Sequence, residues 1–243
     1  MTRAASAQRA HAPLITSRDI QAWIALHGGL AKHLFIHIPK NAGVSLRKSP
    51  ALRWKMVGVH RPFLKDRAYL EGLLEEMGAA GEHHGIAHAR LRDVKPWITQ
   101  RLRPVAIIRN PWARTVSRYR FQQLNFQQGQ TWSSAREMSF EAFLDTRHED
   151  GERPYFWHRA IRGWYPQIDY VKGSGGEIAV DILRQEHLSD EAKAYFQLEV
   201  APRKRNITPD AKRDWRSYYS EREIQIVADW YKSDIEAFGF DFD

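Results

Sequence analysis

Apolar residues alternate and then run together over HLFIHI, 33 to 38, the pattern of a buried strand. PVAIIRNP, 104 to 111, carries a second such run. Asn110 and Pro111 close it as a helix start, a cap followed by proline at the first helical position, and that helix is expected to reach about Gln123. Between the strands, Asp66 to Met77 spaces Leu70, Leu73, Leu74 and Met77 along one helical face, ended by Gly78. Upstream, Ser17 can cap a short helix whose apolar face is Ile20, Trp23 and Ile24, stopped by Gly28–Gly29. Residues 88 to 102 read as one or two helices, with Pro96 breaking or restarting the pattern. Ser139 caps a short helix with Phe140, Phe143 and Leu144, and an aromatic segment from Tyr155 to Tyr165 follows. DYVKGSGGEIAVDIL, 169 to 183, reads as two strands joined by a Gly-rich turn. The last helix has a capping box in Ser220 and Glu223, a stripe of Ile224, Val227, Tyr231 and Ile235, and a stop at Gly239. Strands separated by helices predict an α/β fold, a parallel sheet covered on both faces.

Composition narrows this only a little. At 243 residues with 43% apolar residues, the chain suits one globular domain, 1–243, with residues 1–16 expected to be a flexible leader. The absence of cysteine excludes disulfides, a thiolate zinc site and a thiol nucleophile, and points mildly to a reducing compartment; a cytoplasmic location is the expectation. No apolar run approaches the roughly 20 residues of a membrane span. A formal charge of +8 and a pI near 9.7 point to an anionic partner: a nucleic acid, a polyanion or a phosphorylated cofactor.

The candidate chemistry lies where the first strand ends. In IPKNAGVS the backbone N–H groups from about Asn41 to Ser45 can turn toward an anion as the chain enters a helix, and Lys40 adds a full charge. Gly43 permits close backbone approach, and the Ser45 hydroxyl can donate to an oxygen. A magnesium-dependent nucleotide site needs an acid at the end of the neighbouring strand. The run 104 to 108 ends instead in Arg109, a cation that repels Mg²⁺ and welcomes a second phosphate. The two elements together argue for a metal-free nucleotide with two separate anionic groups.

FIHIPKNAGVS, 35 to 45, and RNPWARTVSRY, 109 to 119, resemble the two signatures of the sulfotransferases that use 3′-phosphoadenosine 5′-phosphosulfate (PAPS) as co-substrate. The resemblance is in particular to the carbohydrate branch, with the heparan uronyl 2-O enzymes and bacterial relatives. Weaker similarity runs on to about residue 240 through GEIAVDILRQEHL, RNIT and the terminal helix. It implies a three-layer α/β/α fold with a central parallel sheet, like that of P-loop nucleotide hydrolases, and transfer of the sulfuryl group to a hydroxyl, expected to belong to a carbohydrate. Carried over, Lys40, Asn41, Ala42, Gly43, Val44 and Ser45 would hold the 5′-phosphosulfate, and Arg109 and Ser117 the 3′-phosphate. Asn41 and Val44 stand where the family usually has threonine. Val44 lacks a hydroxyl that would touch the 5′-phosphate, a loss of about 1.5–3 kcal/mol unless another donor, with Arg47 the candidate, replaces it.

Such a transfer needs a proton acceptor for the hydroxyl and a positive group for the departing phosphate oxygen. Lys40 suits the second role. EHHGIAHARLRDV, 82 to 94, offers His83, His84 and His88 for the first. In the relatives the base is a histidine at a helix start some twenty residues before the arginine strand. His88 lies 21 residues before Arg109 and is the choice, with His84 second. His84 and His88 as zinc ligands lack a third partner and an intervening glutamate, so no metal is expected. His37 is expected to pack against the sheet, His60 to be structural, and Glu186 to brace the fold. PRKRNITP, 202 to 209, reads as a loop closing over the nucleotide, with Arg203, Lys204 and Arg205 as candidates. The acceptor surface would come from RFQQLNFQQGQTW and RPYFWHRAIRGWYPQ. A PAPS-binding protein without catalysis, a P-loop kinase or NTPase, and a nucleic-acid-binding module are the competing readings. The last predicts steep salt dependence, and no nucleic-acid partner is expected.

Overall fold

The computed structural model describes residues 17–79, 85–129, 137–149, 164–203, 205 and 214–243. The expected leader, His83 and His84, the segment 150–163, Lys204 and RNIT beyond Arg205 lie outside them. Four strands, β1 (His33–Ile36), β2 (Met56–Gly58), β3 (Arg103–Ile108) and β4 (Asp181–Arg184), form one sheet in the order β2-β1-β3-β4. Every pairing is parallel, with His33 opposite Met56 on one side and Arg103 on the other.

The period of two in each strand divides the core. Leu34, Ile36, Ala106 and Ile108 face one side, packed with Ala22, Ala25 and Leu26 of α1 (Ser17–His27) and Leu70, Leu73 and Met77 of α3 (Arg67–Ala79). Phe35, Val105, Ile107 and Leu183 face the other, against Leu46 of α2 (Gly43–Arg47), Leu52, and Ala192 of the helix Leu188–Tyr195. Covering on both faces is what the near-continuous apolar runs require. The fold is three-layer α/β/α. A third cluster joins α5 (Pro111–Gln127) to α6 (Phe140–Asp145) and to Val227 and Tyr231 near the C-terminus. Among the described residues no helix is long and apolar enough to cross a membrane.

The helix starts obey their caps: Asn110 accepts from the N–H groups of Trp112 and Ala113, Ser139 from Ala142, and Ser220 forms its box with Glu223. Four expectations are corrected. Helix α1 is rotated: Ala22, Ala25 and Leu26 face the core, because small side chains let the helix approach the sheet closely, and Ile20, Trp23 and Ile24 face outward. Residues 169–183 do not form a hairpin. The chain makes the helical turn α7 (Ile168–Val171), capped by the Asp234 carboxylate on the N–H groups of Gln167 and Ile168, and a single bridge joins Lys172 to Ile178 before β4. The last helix breaks at Tyr231, giving Glu221–Trp230 and Lys232–Phe238, and the second piece turns Asp234 inward to that cap. Before Pro96 the expected helix is replaced by two 3₁₀ turns, Ile86–His88 and Leu91–Asp93, whereas α4 (Pro96–Arg101) restarts at the proline as the pattern indicated.

Strand order places the site. After β1 the chain moves to β2 on one side, and after β3 it moves to β4 on the other. The carboxyl ends of neighbouring β1 and β3 therefore flank a crevice where connections diverge, the position at which open α/β sheets take their ligands.

Candidate active site

The turn after β1 is held in an unusual backbone shape. Lys40 and Ala42 both lie in the left-handed region, at φ 69° and 59°, though neither is glycine. Such conformations cost about 1–3 kcal/mol each and persist only where the surroundings impose them. Four side-chain bonds do so. Asn41 Nδ2 donates to the Ile107 carbonyl at 2.7 Å and to Gln167 Oε1 at 2.6 Å, Arg109 Nη1 donates to the Lys40 carbonyl at 3.2 Å, and Arg114 Nε to the Pro39 carbonyl at 3.2 Å. The Asn41 side chain is thus directed toward the carboxyl end of the central strand β3, leaving its backbone N–H as the donor it can present to a ligand.

Gly43 opens α2 directly against His37. A Cβ there would come within 2.3 Å of His37 Cδ2 and 3.1 Å of the Phe35 ring. His37 is buried and stacked on Phe35 at 5.5 Å, so it cannot retreat. Gly43→Ala is expected to lower stability by about 1–3 kcal/mol, as overpacking does, and to displace the loop. A melting curve matching wild type would refute that contact.

One face of α5 meets the loop, carrying Arg114, Ser117, Arg118 and Phe121 at helical spacing. Lys40 Nζ lies over the Phe121 ring, 4.0 Å from its centre. Burial, then Arg118 and then Arg109, push the Lys40 ammonium down to about 7. Arg109 is pushed down to about 10, by burial first and then by Arg120 and Arg114, with Glu186 opposing. Three cationic side chains therefore crowd together at the loop, an arrangement that an anion relieves. Among the described residues the buried Arg109 Nε and Arg114 Nη2 have no hydrogen-bond partner, and donors of this kind suit phosphate and sulfate oxygens; Asn41 Oδ1, also without one, is an acceptor and adds nothing to an anion site.

On the other side of the loop, His88 Nδ1 lies 2.8 Å from the His37 carbonyl and its ring 4.5 Å from the His37 ring. With Nδ1–H donating to that carbonyl, the lone pair falls on Nε2, the tautomer a general base requires. Burial, then His88 and Arg47, hold His37 well below the ordinary histidine range, so it stays neutral. Arg47 Nη1 reaches His37 Nδ1 at 3.4 Å, placing Arg47 on the His88 side of the loop. The Arg205 N–H donates to Ser45 Oγ at 3.1 Å, which brings the basic segment to the loop; Arg203 is exposed nearby in sequence. Ser117 is half-buried on the loop-facing side of α5.

Two further candidates take part in hydrogen bonds that hold the fold. His60 bonds Asp19 at 2.9 Å, and Glu186 accepts from the Asn110 N–H at 2.8 Å. Sequence reasoning missed the hub of the site. Gln167, fully buried, accepts from Arg109 N–H and from Asn41, and donates to the Arg109 carbonyl and to Asp234. Nothing in its local sequence marks it. Arg114 lies within the second motif, RNPWARTVSRY, and ties Pro39 and Tyr165 together. A cavity of about 630 Å³ lies along β4, lined by Arg184, Glu191 and Tyr195, and one of about 190 Å³ lies at Asn110, Glu186 and Asp241. Neither is lined by the loop, whose donors identify the site better than cavity size does.

A parallel α/β sheet with a lysine turn on one central strand and an arginine ending the next places two cationic elements at one end of the sheet. The chain belongs to the sulfotransferase family, which matches residues 71–241. The matched stretch contains the arginine motif and begins after the lysine turn. The general activity that follows is transfer of a sulfuryl group. The crystal structure of a sulfotransferase from Alicyclobacillus acidocaldarius is similar over 87% of this chain and 97% of that one, with 13% identity and a TM-score of 0.43. A search of curated proteins finds no match.

Proposed function

We propose that the chain, acting as a single domain, moves the sulfuryl group of PAPS to a hydroxyl of a carbohydrate, as the branch with the heparan uronyl 2-O enzymes does. The observation that carries this is the bond from the Arg109 guanidinium to the Lys40 carbonyl, 3.2 Å, which joins the two anion-binding elements in one crevice. Lys40 and the N–H groups of residues 41–45 face the 5′-phosphosulfate, and Arg109 with Ser117 the 3′-phosphate. The basic segment with Arg203 and Arg205 closes over the nucleotide, a reading that the Arg205 contact with Ser45 supports; Lys204, the third candidate, lies outside the described residues. His88 Nε2 takes the acceptor's hydroxyl proton as the new S–O bond forms. The electron pair of the breaking bond goes to the 5′-phosphate oxygen beside Lys40.

The step needs no metal in this reading. Transfer of labelled sulfate from PAPS to a panel of polysaccharides, run with and without EDTA, is the test. Equal transfer in both supports the proposal, and a rate abolished by EDTA overturns its metal-independent part. Val44 supports a second reading, a protein that binds PAPS without turning it over; nucleotide binding with no transfer to any acceptor would favour it.

The lowered Lys40 pKa gives a pH signature. Below about pH 7 the free ammonium is already charged and its contribution to binding is flat. Above that pH, binding a phosphate must first return a proton to Lys40, so affinity for 3′,5′-diphosphoadenosine falls by up to about tenfold per pH unit. Calorimetry in buffers of different ionisation heat should show proton uptake at pH 8. Affinity independent of pH from 7 to 9 would contradict it.

A further inference from the structure

The rotation of α1 leaves an apolar stripe in solvent. Ile20 is 52%, Trp23 58% and Ile24 44% exposed. The stripe continues onto a second helix, because the Trp23 ring meets His27 at 4.6 Å and His27 meets Trp97 of α4 at 6.0 Å. Leu30 extends it toward the start of β1, half exposed. Cations rim it. Lys32, Arg53, Lys55 and Arg101 are exposed, and no Asp or Glu occurs from residue 20 to residue 65. Lys32 and Lys55 sit side by side, the Lys32 N–H donating to the Lys55 carbonyl at 2.8 Å, and Gln21 of α1 bonds the Arg53 carbonyl. All four cations lie at the amino ends of the strands, away from the loop.

We infer that this face docks on an anionic lipid bilayer, with Trp23 and Trp97 at the headgroup boundary and Lys32, Arg53 and Lys55 on lipid phosphates. A helix with an apolar face, flanking tryptophan and a basic rim is the form that interfacial helices take. The patch is carried on the outward face of α1, and neither cavity described above includes any of its residues. Charge complementarity favours the bilayer: the rim is basic and anionic headgroups are continuous, so Lys32, Arg53 and Lys55 meet lipid phosphates wherever the apolar stripe settles. The crevice at the carboxyl ends of β1 and β3 stays open to solvent in this orientation.

Cosedimentation of the full chain with vesicles tests it, comparing phosphatidylcholine alone with phosphatidylcholine containing phosphatidylglycerol, both at saturating 3′,5′-diphosphoadenosine. Anionic vesicles should bind about a hundredfold more tightly, since each basic residue at the surface contributes several-fold. Trp23→Ala with Trp97→Ala should weaken binding about tenfold and reduce quenching of tryptophan fluorescence by brominated lipid. Lys32→Glu with Lys55→Glu should weaken it independently, which keeps the test decisive if one pair folds poorly. No preference for anionic vesicles, binding unchanged in both pairs, or binding lost on adding the nucleotide would overturn the inference. So would a wild-type dimer that the tryptophan pair converts to monomer, which assigns the face to a second copy of the chain.

Discussion

Lys40→Ala is expected to lower sulfuryl transfer by about 10²–10³-fold, the usual effect of removing one preorganised group from developing negative charge. The lysine is fixed before any ligand arrives. Its ammonium lies over Phe121 at 4.0 Å, and its carbonyl is held by Arg109 at 3.2 Å. Truncation removes the charge while leaving that backbone bond, so the fold should survive. Affinity for 3′,5′-diphosphoadenosine should fall less than the rate, because Arg109 and the loop N–H groups still bind the nucleotide. A steady-state comparison separates the two effects. A variant with an unchanged turnover would remove Lys40 from the chemistry.

His88→Ala should cost about 10²–10⁴ in transfer rate and nothing in nucleotide affinity. The separation follows from position, for His88 stands on the His37 side of the loop, away from Arg109 and α5. Added imidazole should restore part of the rate, which a merely structural histidine would not allow. The Ala variant also loses the bond to the His37 carbonyl, so His88→Asn, which keeps a donor there, is the control for loop displacement. Full activity in both variants would move the base to His84.

Much of the framework was legible because it rests on local chemistry. Buried parallel strands give continuous apolar runs, and β1 and β3 have them. Asn110, Ser139 and Ser220 cap their helices through their own side chains, and the spacing that announces a cap is short-range. The lysine turn and the arginine motif were visible for the same reason. Features that depend on distant partners were not. Two alanines and a leucine, rather than the larger Ile20, Trp23 and Ile24, set the inner face of α1, since closeness to the sheet outweighed side-chain size. Asp234, just after the break at Tyr231, caps α7 across 66 residues, and no periodicity records that. Gln167 was invisible for a related reason. A buried amide that joins Asn41 to Arg109 looks like any surface glutamine until its neighbours are known.

Those buried amides bear on how the crevice works. Gln167 holds the backbone of Arg109 in both directions while accepting from Asn41, so the two anion-binding elements share one rigid support. On the proposed function, a phosphate at one end and a phosphosulfate at the other would meet donors already in place, with little reorganisation left for the moment of transfer.

Calorimetry with 3′,5′-diphosphoadenosine, beside AMP and ATP with magnesium, tests most directly whether one nucleotide spans both elements. Tight binding of the first alone, weakened about a hundredfold or more in Arg109→Ala, is the predicted result. Equal binding of AMP, or magnesium-strengthened binding of ATP that ignores the Arg109 substitution, would contradict it.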